Sequence, residues 1–154
     1  MKPKRPVYNQ SDPGMQNILV IDDDEMVRET LRLLLQVDQH VVESAGNASQ
    51  ALGLFRPGKF DLVITDHNMA GMKGDQLAAA IKALAPTQPV LMLTGYGESV
   101  QTQPGLLKNL DGVIPKPFRI ETLREAIARA LPAKGLPTGP VQMDLFVRDS
   151  TIRL

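Results

Sequence analysis

Five short apolar runs alternate with stretches whose apolar residues return every three or four positions, and few architectures accommodate that alternation. The runs are Ile18–Ile21, Val41–Glu43, Leu62–Thr65, Val90–Leu93 and Val113–Ile114. Most are too short for a helix and apolar at consecutive positions, as strands covered on both faces are. Between them, Val27, Leu31, Leu34 and Leu35 form one helical stripe that ends near Asp38. Ala48, Ala51, Leu52 and Phe55 form a second, and Leu77, Ala80, Ile81 and Leu84 a third. Ile120, Leu123, Ile127 and Leu131 form the last, stopped by Pro132. Asp24, Asn47 and Asp75 stand where helix N-caps are expected. Strand–helix alternation of this kind implies right-handed βαβ units and a parallel sheet with helices on both faces. One helix is deficient: Pro104-Gly105 interrupts the stretch from Ser99 to Leu110, which predicts a short or split helix there.

A chain of 154 residues with 43% apolar content can bury the core of one domain. Its formal net charge of zero does not favour non-specific binding to nucleic acid or to an anionic membrane. The absence of cysteine excludes disulfides, thiolate catalysis and cysteine-bound metals. No apolar run approaches membrane-spanning length, and the basic Met1-Lys2-Pro3-Lys4-Arg5 lacks the apolar stretch of a signal peptide, so a cytoplasmic location is expected. Residues 1–16 read as a flexible arm, 17–132 as the domain and 133–154 as a linker and tail. Within the tail, residues 141–148 partly alternate and could add a short strand to an edge.

The chemistry lies where the apolar runs stop. The first ends in Asp22-Asp23-Asp24, the third in Asp66, the fourth in Thr94, and the fifth, through Pro115, in Lys116. In a parallel sheet these ends share one edge. Two carboxylates about 4 Å apart repel by roughly 4 kcal/mol at an effective dielectric near 20, so three in one pocket call for a cation. Oxygen ligands without His or Cys suit Mg2+ or Mn2+. Asp24 is read as a helix cap alone. Asp22, Asp23 and Asp66 together are read as a site, because three acids at strand ends exceed what capping requires. Lys116, held between prolines, can pair with a carboxylate or a phosphoryl oxygen. Thr94, followed by Gly95, can hydrogen-bond such an oxygen, and the Asn68 carbonyl can ligate a metal.

Four segments resemble the receiver domains of two-component response regulators in order and spacing. They are Ile18-Leu19-Val20-Ile21-Asp22-Asp23-Asp24, the run from Asp61 to Gly74, Val90-Leu91-Met92-Leu93-Thr94-Gly95 and Pro115-Lys116-Pro117-Phe118. The resemblance runs from about Asn17 to Leu131. It implies a doubly wound, flavodoxin-like α/β fold: a five-stranded parallel sheet in the order 2-1-3-4-5 with five flanking helices. It implies that Asp66 accepts a phosphoryl group from a histidine kinase or histidine phosphotransfer protein. It assigns Mg2+ to Asp23, Asp66 and the Asn68 carbonyl, with Asp22 acting mostly through water, and the phosphoryl oxygens to Thr94 and Lys116. The Lys116-Pro117 bond is expected to be cis. Thr94 would then move inward with the loop Gly95–Ser99 and alter protein–protein contacts, with a downstream protein or a second copy in a homodimer as the outlet.

The chain also departs from the family pattern. Ala70 replaces a usual proline, and Val113 stands where many receivers carry a switching aromatic residue. His67 directly follows the expected acceptor and is read as facing solvent. Tyr96 lies where a bulky ring could slow aspartyl-phosphate hydrolysis. Pro104-Gly105 alters the helix of the usual output face. The 22 residues after Pro132 are too few for a winged helix, which leaves a stand-alone receiver or one belonging to a hybrid histidine kinase, and Met1 puts the stand-alone reading first. Two other classes compete. A haloacid-dehalogenase-like phosphatase also has Asp-x-Asp after its first strand, but Met26 is wrong for it and the chain is short. A pseudo-receiver that binds partners without taking phosphate would have no need of Asp22, Asp23, Asp66, Thr94 and Lys116 together.

Overall fold

The computed structural model describes residues 14–95, 105 and 107–132. Its strands are β1 (Asn17–Ile21), β2 (Val41–Ala45), β3 (Leu62–Asp66), β4 (Val90–Thr94) and β5 (Gly112–Pro115). Its helices are α1 (Glu25–Val37), α2 (Ala48–Leu54), α3 (Gly74–Leu84) and α4 (Ile120–Ala130). The strands lie in the order β2-β1-β3-β4-β5, and every pair is parallel. This is the expected doubly wound topology. The expected broken helix between Ser99 and Leu110 lies largely outside the described residues. So do Tyr96, most of the arm 1–16, and the tail 133–154.

The pleat of the strands divides the core in two. Leu19, Ile21, Val63 and Val90 face α2 and α3, where they pack with Ala48, Ala51, Phe55, Leu77 and Ile81. Ile18, Val20, Leu62, Ile64, Leu91 and Leu93 face α1 and α4, against Leu31, Leu35, Leu123 and Ile127. The three middle strands thus bury both faces, which is why they read as continuous apolar runs. Each fully buried Leu or Ile contributes roughly 2 kcal/mol of transfer free energy. Edge strand β2 is only partly covered and runs two residues past its apolar segment, with Ala45 paired to Ile21.

Two caps fall where the sequence indicated. Asp24 Oδ1 accepts from the Met26 N–H at 2.9 Å, and Asn47 Oδ1 from the Gln50 N–H at 2.8 Å. The third does not. Helix α3 begins one turn earlier than its apolar stripe suggests, its N-cap is Lys73, and Asp75 lies within the first turn. At the far end of α1, the C-cap Asp38 receives both forks of Arg124 on α4, at 2.8 Å each. That pair ties the two helices of one face together.

From β1 the chain crosses to β2 on one side, and from β2 through α2 to β3 on the other. The loops after β1 and β3 therefore diverge and leave a crevice at the carboxyl edge of the sheet, where ligands bind in open α/β folds.

Candidate functional site at the carboxyl edge

Asp22 follows the last residue of β1 and is fully buried. Its N–H donates to the Ala45 carbonyl at 3.2 Å. Its Oδ1 accepts from the Asp24 N–H at 2.9 Å, and its Oδ2 accepts from Lys116 Nζ at 3.2 Å. Asp66, the last residue of β3, is also buried, and its Oδ1 accepts from the same ammonium at 2.9 Å. Asp23 is exposed on the rim, and carboxylate oxygens of Asp22, Asp23 and Asp66 lie within 4.8 Å of one another. Two strand ends thus bring together the three acids singled out in the sequence. An all-oxygen set of three carboxylates is one that hard divalent cations take.

Lys116 reaches the acids because of how β5 ends. Its N–H donates to the Thr94 carbonyl at 2.7 Å, which continues the β4–β5 ladder one step past Pro115. The Lys116-Pro117 bond is cis. Thr94 closes β4 as a buried residue beside this pair. Asn68 lies exposed two residues beyond Asp66, and its Oδ1 accepts from Lys73 Nζ at 2.9 Å. His67 is half-buried rather than fully turned to solvent. Its side chain is 18% exposed, and Nε2 lies 4.0 Å from Asp75 Oδ1.

The charges are mutually dependent. Burial is the largest influence on Asp22 and raises its pKa above the usual carboxylate value; the Asp24 N–H opposes this, and the charge of Asp66 adds to it. For Lys116, burial alone would lower the pKa. The hydrogen bond to Asp66 and the charges of Asp22 and Asp66 outweigh it, so the lysine stays protonated above its ordinary range.

Three further residues shape the site, and the apolar patterning did not single them out. Arg28 Nη1 donates to the Asp22 carbonyl at 2.7 Å and so holds the turn that carries the acids. Lys73 grips Asn68. Gly74 permits the closest backbone approach in the crevice: a Cβ there would lie 2.1 Å from the Asp66 carbonyl oxygen and 2.9 Å from His67 Cα. The Gly74 N–H donates to the His67 carbonyl at 2.9 Å, so α3 starts pressed against the end of β3. Arg28 had a readable signal in its place in the first turns of the helix that follows the acids, and Lys73 and Gly74 in closing the run from Asp61 that resembles receiver domains.

A parallel five-stranded sheet with three acids and a lysine gathered at its carboxyl edge defines a class of α/β signalling domains. Residues 18–128 match the response regulator receiver domain family, and the chain belongs to it. Receiver domains are signalling modules that interact with histidine kinases. Among curated relatives, the response regulator FleR of Pseudomonas aeruginosa is 33% identical over 112 residues, 73% of this chain and 24% of FleR. MprA of Mycobacterium sp. strain KMS is 33% identical over 135 residues, 88% of this chain and 59% of MprA. This chain therefore spans only part of the length of those relatives. Among solved structures, the response regulator TrrA of Thermotoga maritima, in complex with Mg2+-BeF, superposes with a TM-score of 0.69 at 31% identity, covering 76% of this chain and 100% of that one. The chemotaxis protein CheY4 of Vibrio cholerae gives 0.69 at 29% identity, covering 77% and 100%. No helix among the described residues is long and apolar enough to cross a membrane.

Proposed function

We propose that this chain is a phosphoacceptor switch of a two-component phosphorelay, with Asp66 as the acceptor. The observation that carries the reading is Lys116 Nζ, shared between Asp66 Oδ1 at 2.9 Å and Asp22 Oδ2 at 3.2 Å on the floor of the crevice. One ammonium cannot neutralise three carboxylates, and the site is built for further positive charge. Asp22, Asp23, Asp66 and the Asn68 carbonyl are the residues that would hold Mg2+ or Mn2+. The ion would supply charge neutralisation for the phosphoryl oxygens.

In the transfer, an Asp66 carboxylate oxygen attacks the phosphorus of a phosphohistidine on a histidine kinase or histidine phosphotransfer protein. The N–P bond breaks, its electron pair returns to the ring nitrogen, and imidazole leaves neutral because its other nitrogen carries the proton. Lys116 follows the charge from the Asp66 carboxylate to a phosphoryl oxygen, and the Thr94 hydroxyl donates to another. Positioning and electrostatics carry the rate. The aspartyl phosphate carries about −2 where the Asp66 carboxylate carried −1. Thr94 draws the chain after β4 toward it, which biases contacts with a downstream protein or a second copy. We place this unit at residues 17–132 and its work in the cytoplasm.

Incubation with Mg2+ and acetyl phosphate, followed by intact mass, tests the reading. The wild type gains one phosphoryl group and Asp66→Asn gains none. If neither gains one from acetyl phosphate or from a phosphorylated histidine phosphotransfer protein, the chain is a binding module that does not take phosphate.

A further inference from the structure

Lys73 occupies a place where the local rules of helix formation favour other residues. Helix N-caps favour Ser, Thr, Asp or Asn, whose oxygen accepts a free helix N–H, and the helix dipole disfavours a cation there. Lysine offers no acceptor. Helix α3 is capped in the reverse sense only, by Gln76 Oε1 accepting from the Lys73 N–H at 2.9 Å. The Lys73 ammonium instead donates across the β3–α3 loop to Asn68 Oδ1 at 2.9 Å. The close fit of Gly74 on the Asp66 carbonyl holds the residue before it near the end of β3.

Two physical consequences follow. An ammonium only donates, so it must take the amide of Asn68 by its oxygen, which leaves the Nδ2 hydrogens as the outward donors. The charge balance at the edge also changes on phosphorylation. Asp22, Asp23 and an aspartyl phosphate of about −2 total about −4, against about +3 from a divalent cation and Lys116. Lys73 brings the remaining positive charge.

We propose that Lys73 is a positioning residue for the phosphorylated state: through Asn68 Oδ1 it anchors the Asn68 amide beside the phosphoryl group, where the amide donates to a phosphoryl oxygen and restricts the approach of water. The inference rests on Asp66 phosphorylation. In hydrolysis a water oxygen attacks phosphorus and the bond to the Asp66 oxygen breaks. Asp66 leaves as carboxylate, and the protons of water stay with phosphate and bulk solvent. Anchoring Asn68 slows the first of these events.

The test follows decay of the aspartyl phosphate in wild type, Lys73→Met, Lys73→Arg, Asn68→Ala and the double variant Lys73→Met/Asn68→Ala. Lys73→Met speeds decay about fivefold, the factor carried by one solvent-exposed hydrogen bond. Lys73→Arg retains the slow decay. Asn68→Ala matches Lys73→Met, and the double variant is no faster than either. In the unphosphorylated protein, Lys73→Met shifts the Asn68 side-chain amide resonances, as expected where the lysine acts through that amide. Decay unchanged by Lys73→Met overturns the proposal, and so do additive effects in the double variant. A wild type that takes no phosphoryl group overturns the underlying function as well, and is told apart because there is then no decay to measure.

Discussion

The two edges of the sheet both carry aspartates, and they use them in opposite ways. At the amino edge, Asp61 precedes β3 and its Oδ2 accepts from the first N–H of neighbouring β1, at Asn17, 2.8 Å away. Asp111 precedes β5 and does the same for β4, accepting from the Val90 N–H at 2.8 Å and from Lys82 Nζ at 2.9 Å. The backbone reciprocates: the Asp61 and Asp111 N–H groups donate to the Asn17 and Val90 carbonyls at 2.8 Å. Each acid there closes a strand end. At the carboxyl edge carboxylate oxygens of three acids lie within 4.8 Å of one another, and two of those acids, Asp22 and Asp66, share Lys116. The first arrangement stabilises the sheet. The second stores electrostatic repulsion that a cation and a phosphoryl group can use. The residue type alone does not distinguish the roles; what surrounds each carboxylate does.

The largest effect that would sharpen this contrast lies at Gly74. A methyl group there meets backbone rather than a flexible side chain, at 2.1 Å from the Asp66 carbonyl oxygen. Gly74→Ala is expected to destabilise the protein by about 3 kcal/mol, because α3 must withdraw from the end of β3. Urea denaturation measures this. A cost below about 1 kcal/mol would mean that α3 gives way easily and that the crevice is not held by this contact.

Next comes the amino edge. Asp111→Ala removes the acceptor of the Val90 N–H and the partner of Lys82, and is expected to cost about 2 kcal/mol in urea while leaving Mg2+ binding unchanged. A stability equal to wild type would show that water replaces the carboxylate there, and the two edges would no longer differ in kind.

How much of this was legible beforehand follows from the same contrast. Apolar runs that stop at Asp22, Asp66, Thr94 and Lys116 were readable because strand ends in a parallel sheet share an edge whatever the packing. The sheet order came only with the resemblance to receiver domains. The start of α3 was not readable, since Lys73 is a poor cap and Asp75 a good one. The close approach at Gly74 overrode the local preference, and Asp75 instead lies near His67. The grip of Lys73 depends on where a flexible side chain ends, which spacing does not encode. Asp61 and Asp111 carried no sign of this role, because their partners lie on neighbouring strands, 44 and 21 positions away.

The smallest effect decides the comparison in the other direction. Asp22→Asn keeps an oxygen for the Asp24 N–H and turns an Nδ2 donor toward Lys116, which keeps Asp66; the larger change is the loss of a buried negative charge. Burial, reinforced by the charge of Asp66, raises the Asp22 pKa from its ordinary 3.8. The folded protein therefore binds that proton more tightly than the unfolded chain, and ionising Asp22 opposes folding. The penalty is absent below about pH 3.8, grows as pH rises through the folded value, and is complete above it. In EDTA at pH 7, Asp22→Asn is expected to be more stable than wild type by about 1 kcal/mol, the gain usual when a functional site is relieved of its strain. That advantage shrinks as pH falls through the folded Asp22 value toward 3.8. Saturating Mg2+ reverses the order, since only the wild type keeps the full ligand set and binding adds to its stability. Thermal melts at pH 7 and pH 5, with EDTA and with Mg2+, read all of this. A wild type already more stable in EDTA at pH 7 would show that Lys116 alone balances the acids, and that the carboxyl edge, like the amino edge, stabilises the fold without a ligand.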